Sequence, residues 1–144
     1  MKKYFLTLLL GFFFVALTGN AGEKFSQSVK SDGETVILDN LTGLTWTYDF
    51  KTGKNWPQAL KYCEELNYGG YTDWKLPNIN ELISLINYAL YNPASDILNS
   101  SINSFWSSSS YASYTDYAWV VPFYDGYVYV NIKNNYSAVR CVRR

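Results

Sequence analysis

The first apolar run of the chain, Tyr4 to Leu17, follows Lys2 and Lys3 and gives way to Thr18, Gly19, Asn20 and Ala21. It is shorter than the roughly 20 residues that cross a bilayer. A basic start, a short apolar stretch and small residues at a break predict a secretory signal peptide over residues 1–21, cleaved after Ala21. Residues 22–34 are rich in polar side chains and read as a flexible leader. The pattern then tightens. Thr35-Val36-Ile37-Leu38 and Leu44-Thr45-Trp46-Thr47 predict two short strands around the turn-rich stretch Asp39 to Gly43.

Helical spacing follows. Asn55 with Gln58 makes a capping box, Pro57 fits the first turn, and Trp56, Ala59, Leu60, Cys63 and Leu66 recur on one face. Gly69 and Gly70 are expected to end this helix or to form a tight turn. Pro77 pushes the residue before it toward an extended conformation, so a second helix begins only after it. Asn78 and Glu81 cap that helix, which is expected to run from Ile79 to about Ala89 with Leu82, Leu85, Ile86 and Ala89 inward. Residues 91–104, broken by Pro93 and rich in Asn and Ser, read as a connection.

Asp125-Gly126 is the strongest hairpin signal in the chain. A two-residue turn there sets Tyr124 opposite Tyr127, Val121 opposite Val130 and Trp119 opposite Ile132. Alternation then places Trp119, Val121, Phe123, Val128, Val130 and Ile132 on a core face. The other face carries Val120, Pro122, Tyr124, Tyr127, Tyr129 and Asn131, a polar-tipped aromatic strip. Lys133-Asn134-Asn135 makes the next turn, and Ser137 to Val142 a final strand. A one-residue slip of register would exchange the two faces.

Composition narrows the function classes. The chain has 144 residues, 12 basic and 12 acidic groups and no histidine. The segment read as a signal peptide holds two of the basic residues and none of the acidic, so the mature balance is 10 against 12, or −2. Nothing in that balance draws the chain to nucleic acid or an anionic membrane. The cluster Arg140, Arg143 and Arg144 reads as a solvated end. Two cysteines, Cys63 and Cys141, in an exported chain most simply form one disulfide; without histidine or further sulfur ligands they make a poor metal site, and no cofactor is expected. The 14 tyrosines stand out, since each carries an apolar ring and a polar tip.

The series Val36 to Trp46, Trp56 through Cys63, Gly70-Tyr71-Thr72-Asp73-Trp74-Lys75-Leu76-Pro77 with Glu81-Leu82, Phe105-Trp106-Ser107-Ser108-Ser109 and Val139-Arg140-Cys141-Val142-Arg143 resembles the C-terminal domain family of the Legionella collagen-like adhesin, in order, over roughly residues 35–143. The resemblance implies an α+β, C-type-lectin-like domain over residues 35–144, with two helices on a small, mostly antiparallel sheet and a long disulfide from the first helix to the last strand. It also implies trimerisation and contact with sulfated glycosaminoglycans. This chain departs from that pattern in its slightly negative charge and in having no collagen-like repeat. The Glu-Pro-Asn, Gln-Pro-Asp and Trp-Asn-Asp triplets of calcium-dependent lectins are absent, and Leu76-Pro77-Asn78 is better read as a helix start.

No activated catalytic constellation is legible. The run Ser107 to Ser110 lacks a histidine and a placed lysine base and reads as satisfying backbone groups in a turn; Asp73 reads as a turn or cap residue. The pairs Asp39/Asp49 and Glu64/Glu65 have no readable geometry. The expectation is therefore an exported, non-catalytic adhesion module. It binds a glycan or surface protein through Tyr124, Asp125, Tyr127, Tyr129 and Asn131, with Tyr111, Tyr114 and Tyr117 adding aromatic surface on an unassigned face. The alternative is an envelope assembly module using the same strip, and a formylglycine-generating type of enzyme would require free thiols.

Overall fold

Both helices start where their capping residues stand. In the computed structural model, which describes residues 23–90, 95 and 103–144, Asn55 caps α1 (Trp56–Glu64) and Asn78 caps α2 (Ile79–Ile83). Each cap side chain accepts from the backbone N–H three residues on, while the Gln58 or Glu81 side chain accepts from the cap's own N–H. Two otherwise orphaned donors are satisfied at each start.

The strands are β1 (Phe25–Val29), β2 (Thr35–Asp39), β3 (Thr45–Thr47), β4 (Lys51–Lys54), β5 (Ser104–Ser110), β6 (Tyr117–Pro122), β7 (Tyr129–Ile132), β8 (Ser137–Val139) and β9 (Val142–Arg143). A small antiparallel sheet has the order β1-β2-β3-β9. The larger has the order β4-β8-β5-β6-β7, with β5 and β8 parallel. The fold is thus α+β, with two helices and two sheets.

The inner strands of the larger sheet are buried on both faces, and alternation divides their residues between two cores. Trp106, Ala118, Val120 and Val139 pack with Ala59 and Cys63 of α1. Phe105, Val121 and Ala138 pack instead with Leu82 of α2, the following Leu85 and Ile86, and Ile37 and Trp46 of the small sheet. Phe105 has no exposed surface, a burial worth roughly 1.5–3 kcal/mol.

The expected final strand is two strands. β8 belongs to the larger sheet and β9 to the smaller, and the chain changes sheets at Arg140 and Cys141. Arg140 is therefore not a solvated end. It is 1% exposed, its Nη1 donates to the Thr47 carbonyl at 2.8 Å, and its guanidinium lies 5.8 and 5.9 Å from the Phe50 and Phe105 ring centroids. Burial lowers its pKa to about 10. One residue on, Cys141 forms the disulfide with Cys63 of α1, their α-carbons 5.6 Å apart. This is the expected pairing.

Several expectations are corrected. Part of the flexible leader is β1, paired with β2 from Phe25↔Asp39 to Val29↔Thr35; its polar composition is that of a strand at a sheet edge. Residues 1–21, read as a signal peptide, and most of the connection 91–104 lie outside the described residues. The second helix stops at Ile83, because the Ser84 hydroxyl donates to the Glu81 carbonyl at 2.7 Å and competes with continued helix. Leu85 and Ile86 remain buried in turns, but Ala89 is exposed. Gly69 and Gly70 lie beyond the end of α1, with φ of 60° and 76°. They close a tight turn in which Tyr68 and Tyr71 exchange two backbone bonds of 3.1 Å. A Cβ on Gly69 would sit 2.7 Å from Val36 Cγ1.

The β6–β7 register differs from the expected hairpin by two residues: Trp119 pairs with Val130 and Val120 with Tyr129. The cause is β5, which pairs with β6 as far as Ser104↔Pro122 and carries Phe123 into the core. The chain turns only afterwards, with Gly126 at φ 73° and its N–H donating to the Pro122 carbonyl. A shift of two preserves which residues share a face. It does not preserve burial: Val120 and Pro122, expected in the exposed strip, are buried, whereas Val130 and Ile132, expected in the core, are 37% and 40% exposed.

Two measurements check this fold. Replacing both cysteines by serine opens a loop of sequence separation 78, worth up to about 4.5 kcal/mol in the chain-entropy model, so urea unfolding should show a loss of roughly 2–4 kcal/mol. The buried Tyr68 hydroxyl lies 2.9 Å from the Thr35 carbonyl and 3.0 Å from the Asp49 carboxylate. Burial first, and then the Asp49 carboxylate, push its pKa up to about 12. The folded chain then keeps a proton that the unfolded chain has lost, so this contribution is full below pH 10 and disappears as pH rises toward 12. Denaturant midpoints of Tyr68→Phe should fall less steeply than those of the parent across that window.

Candidate functional site

The expected strip is split by the fold. Tyr129 and Asn131 lie on the face of β7 that continues Val120 and Ala118 of β6, but those β6 residues are buried in the core that includes Ala59 and Cys63 of α1. What remains is a small polar cluster. The Tyr129 hydroxyl donates to Asp125 Oδ2 at 2.9 Å, and the Tyr127 N–H donates to Asp125 Oδ1 at 3.0 Å. The bond to Asp125 pushes the Tyr129 pKa up to about 12. Asn131 is turned toward the chain that follows, accepting from Asn135 at 2.8 Å and lying 3.3 Å from the Ser137 hydroxyl. Tyr124 and Tyr127 are exposed. Asp125 thus gathers Tyr127 and Tyr129, while Asn131 is drawn away.

The opposite face of the same strand pair holds a concave aromatic site. There the core that contains Val121 ends at Trp119, which is half-buried. Beyond it, Tyr111, Tyr114, Tyr117 and Val130 line an open cup of about 290 Å³. The turn between β5 and β6 positions the rings: the Tyr111 N–H donates to the Tyr117 carbonyl at 2.8 Å and the Tyr117 N–H to the Tyr114 carbonyl at 3.0 Å. Tyr111 stands edge-on to Trp119 at 5.1 Å and 86°. Tyr114 lies 6.1 Å from both Tyr111 and Tyr117. The Lys133 N–H ties the end of β7 to this turn through the Asp116 carbonyl at 2.8 Å. The cup wall is apolar ring and valine surface, with tyrosine hydroxyls and the exposed Asp116 close in sequence.

These three tyrosines carried no face in the sequence reading. Their signal is the spacing Tyr111, Tyr114, Tyr117 inside a turn of small and polar residues, where nothing apolar nearby competes to bury them. Periodicity alone could not place them, since a turn has no period.

The lysine near this end is engaged by its own chain. Lys133 Nζ lies 2.7 Å from Ser110 Oγ and 4.1 Å from the Trp56 ring centroid. A lysine is thus placed beside the serine run, contrary to expectation, with its side chain spanning the Ser110 hydroxyl and the Trp56 ring. The other serines satisfy backbone groups: Ser107 Oγ donates to the Trp119 carbonyl at 2.8 Å, and Ser109 Oγ accepts from the Ile79 N–H at 3.1 Å. Asp73 is not a turn cap; it accepts two bonds from Arg143, of 2.6 and 3.0 Å, and that guanidinium holds its carboxyl below the usual range. Asp39 caps the following turn through Leu41 and Thr42, whereas Asp49 meets Tyr68, so the two carboxylates serve separate roles. Among the described residues, no three carboxylate or thiol side chains are grouped to hold a metal, and no helix is long and apolar enough to cross a membrane.

The family model described as the Lcl C-terminal domain matches residues 35–143, the span over which the sequence motifs lie. No curated protein matches the chain.

The cup rings differ in structural weight. Tyr114 is 66% exposed, so Tyr114→Ala should shift the urea midpoint by no more than about 0.5 kcal/mol of stability. Trp119→Ala, at the bottom of the same aromatic array, should cost about 2 kcal/mol or more.

Proposed function

The chain belongs to the Lcl C-terminal domain family, and from that premise we propose that it is an exported, non-catalytic binding module of adhesin type whose ligand is a glycan seated in the cup of Tyr111, Tyr114 and Tyr117. The observation that carries this reading is the cup itself: several aromatic rings, fixed by backbone bonds and by Trp119, around an open concavity of about 290 Å³. A sugar ring presents faces of C–H that stack on such rings, while its hydroxyls need donors and acceptors of the kind that tyrosine tips supply. Ring positions set before binding reduce the ordering cost of association. The paired helices and the long helix-to-strand disulfide support placing the domain among C-type-lectin-like folds, and the disulfide also supports export.

A polyanion is the weaker ligand class. The mature charge is slightly negative, Arg143 is engaged by Asp73, and Arg140 is buried. Among the described residues no set of carboxylates is grouped to hold calcium, so on this reading recognition should not depend on calcium. Assembly through the Tyr124, Tyr127 and Tyr129 surface is the second reading, favoured by the exposure of those rings.

Glycan-array binding by residues 22–144, at low and high salt and with and without calcium, tests the proposal. Binding should be insensitive to both conditions and fall roughly 10-fold or more in Tyr114→Ala/Tyr117→Ala, with Tyr127→Ala/Tyr129→Ala unaffected. Loss in the second double variant and not the first would move the site to the strip around Asp125. No binding to any glycan would leave the family assignment standing and remove the ligand class.

A further inference from the structure

The four sheet edges of this domain are protected unequally. β4, at one end of the larger sheet, carries Lys51 and Lys54, a positive-φ Gly53 and a shifted register with β8. In the small sheet, β1 exposes Gln27, Ser28 and Val29 and is flanked by Lys24 and Lys30. The two-residue β9 is covered by Lys75, which exchanges two 2.9 Å backbone bonds with Val142. Charge, irregularity and cover are the usual devices that stop a strand edge from pairing with another chain.

β7 shows neither irregularity nor cover among the described residues, and the charge that adjoins it, Lys133, is turned onto the Trp56 ring. It closes the order of the larger sheet, is paired only with β6 among the described residues, and reads Tyr129-Val130-Asn131-Ile132, without charge, proline or bulge. Its side chains are exposed on both faces, Tyr129 at 45% and Ile132 at 40%. An extended, uncharged and partly apolar edge is a template for one more antiparallel strand.

The sequence of β7 and its flanks selects the partner. Laid antiparallel against its own copy with Val130 opposite Val130, the strand sets Val128 opposite Ile132 on the same face. On the other face Tyr129 meets Asn131, and Tyr127 meets Lys133. Every aliphatic residue then faces an aliphatic residue, and no like charges meet. Registers offset by one residue would put the tyrosine face of one copy beside the valine face of the other.

We propose that β7 pairs with β7 of a second copy of this chain across a two-fold axis, joining two five-stranded sheets into one ten-stranded sheet. The contact is isologous, so it closes at two copies. Because residues facing each other across an antiparallel pair lie on the same side, both tyrosine cups open on one face of the joined sheet. Two ligand sites presented together bind a repetitive surface more tightly than either alone. The pairing itself uses backbone groups and stands whatever the cup binds.

Sedimentation equilibrium of the mature chain, residues 22–144, over a concentration series tests this. The expected result is a monomer–dimer equilibrium that Val130→Lys abolishes, by opposing two ammonium groups at the axis, while its circular dichroism stays native. Val130→Cys should form a disulfide-linked dimer under mild oxidation, and Tyr129→Cys, set opposite Asn131, should do so much less. A monomer at every concentration, a trimer, or a dimer that survives Val130→Lys overturns the proposal. So does slow hydrogen exchange of both the Val130 and Asn131 amides in dilute monomer, which would show that another part of the chain already covers the edge.

Discussion

The fold depends on how the last ten residues cross it. β8 closes onto the larger sheet and β9 onto the smaller, and between them Arg140 and Cys141 pass through the interior. A charged side chain there is costly unless its donors are met. One guanidinium nitrogen reaches the Thr47 carbonyl, while Nε has no hydrogen-bond partner among the described residues. The disulfide to α1 makes this crossover difficult to undo, because separating the two sheets would require pulling Cys141 away from the helix to which it is covalently bound. Both cores meet at this point, since Ala138 belongs to one and Val139 and Cys141 to the other.

From that crossover follows the burial of the larger sheet. With the core of α1 on one face and that of α2 and the small sheet on the other, the central residues of β5, β6 and β8 are closed to solvent, whereas Ser110, Tyr117 and Trp119 toward one end are not. Exposed aromatic surface is left where this cover runs out, at the β5–β6 turn and along β7. The end of the sheet therefore carries both the cup and the unguarded edge, and the two are separable because one uses side chains on a face and the other backbone groups in the plane of the sheet.

The chemistry at that end is aromatic rather than ionic. Lys133 is held by Ser110 and the Trp56 ring, Asp125 by Tyr129 and Tyr127, and the remaining wall is ring surface. On the proposed reading, such a surface selects its ligand by shape and stacking, with little of the salt screening that weakens exposed charge pairs.

Local chemistry was readable from the sequence because it depends on neighbours in the chain. The two capping boxes, the strands at 35–39 and 45–47, the Gly69-Gly70 turn and the Cys63–Cys141 pair need only short-range rules or a count of two cysteines. The family motifs were legible for the same reason, as they sit on those elements. What the sequence could not decide is anything set by a strand's second neighbour. Asp125-Gly126 looked like a two-residue hairpin because β5, which holds Pro122 and carries the chain onward, is absent from any local window. Alternation gave the correct grouping of residues into faces, yet which face met water was decided by the core around Ala59 and Cys63 that takes in Val120. Tyr111, Tyr114 and Tyr117 became a site only when β7 brought Val130 beside them, and β7 became an edge only when the chain crossed to β8 on the far side of the sheet.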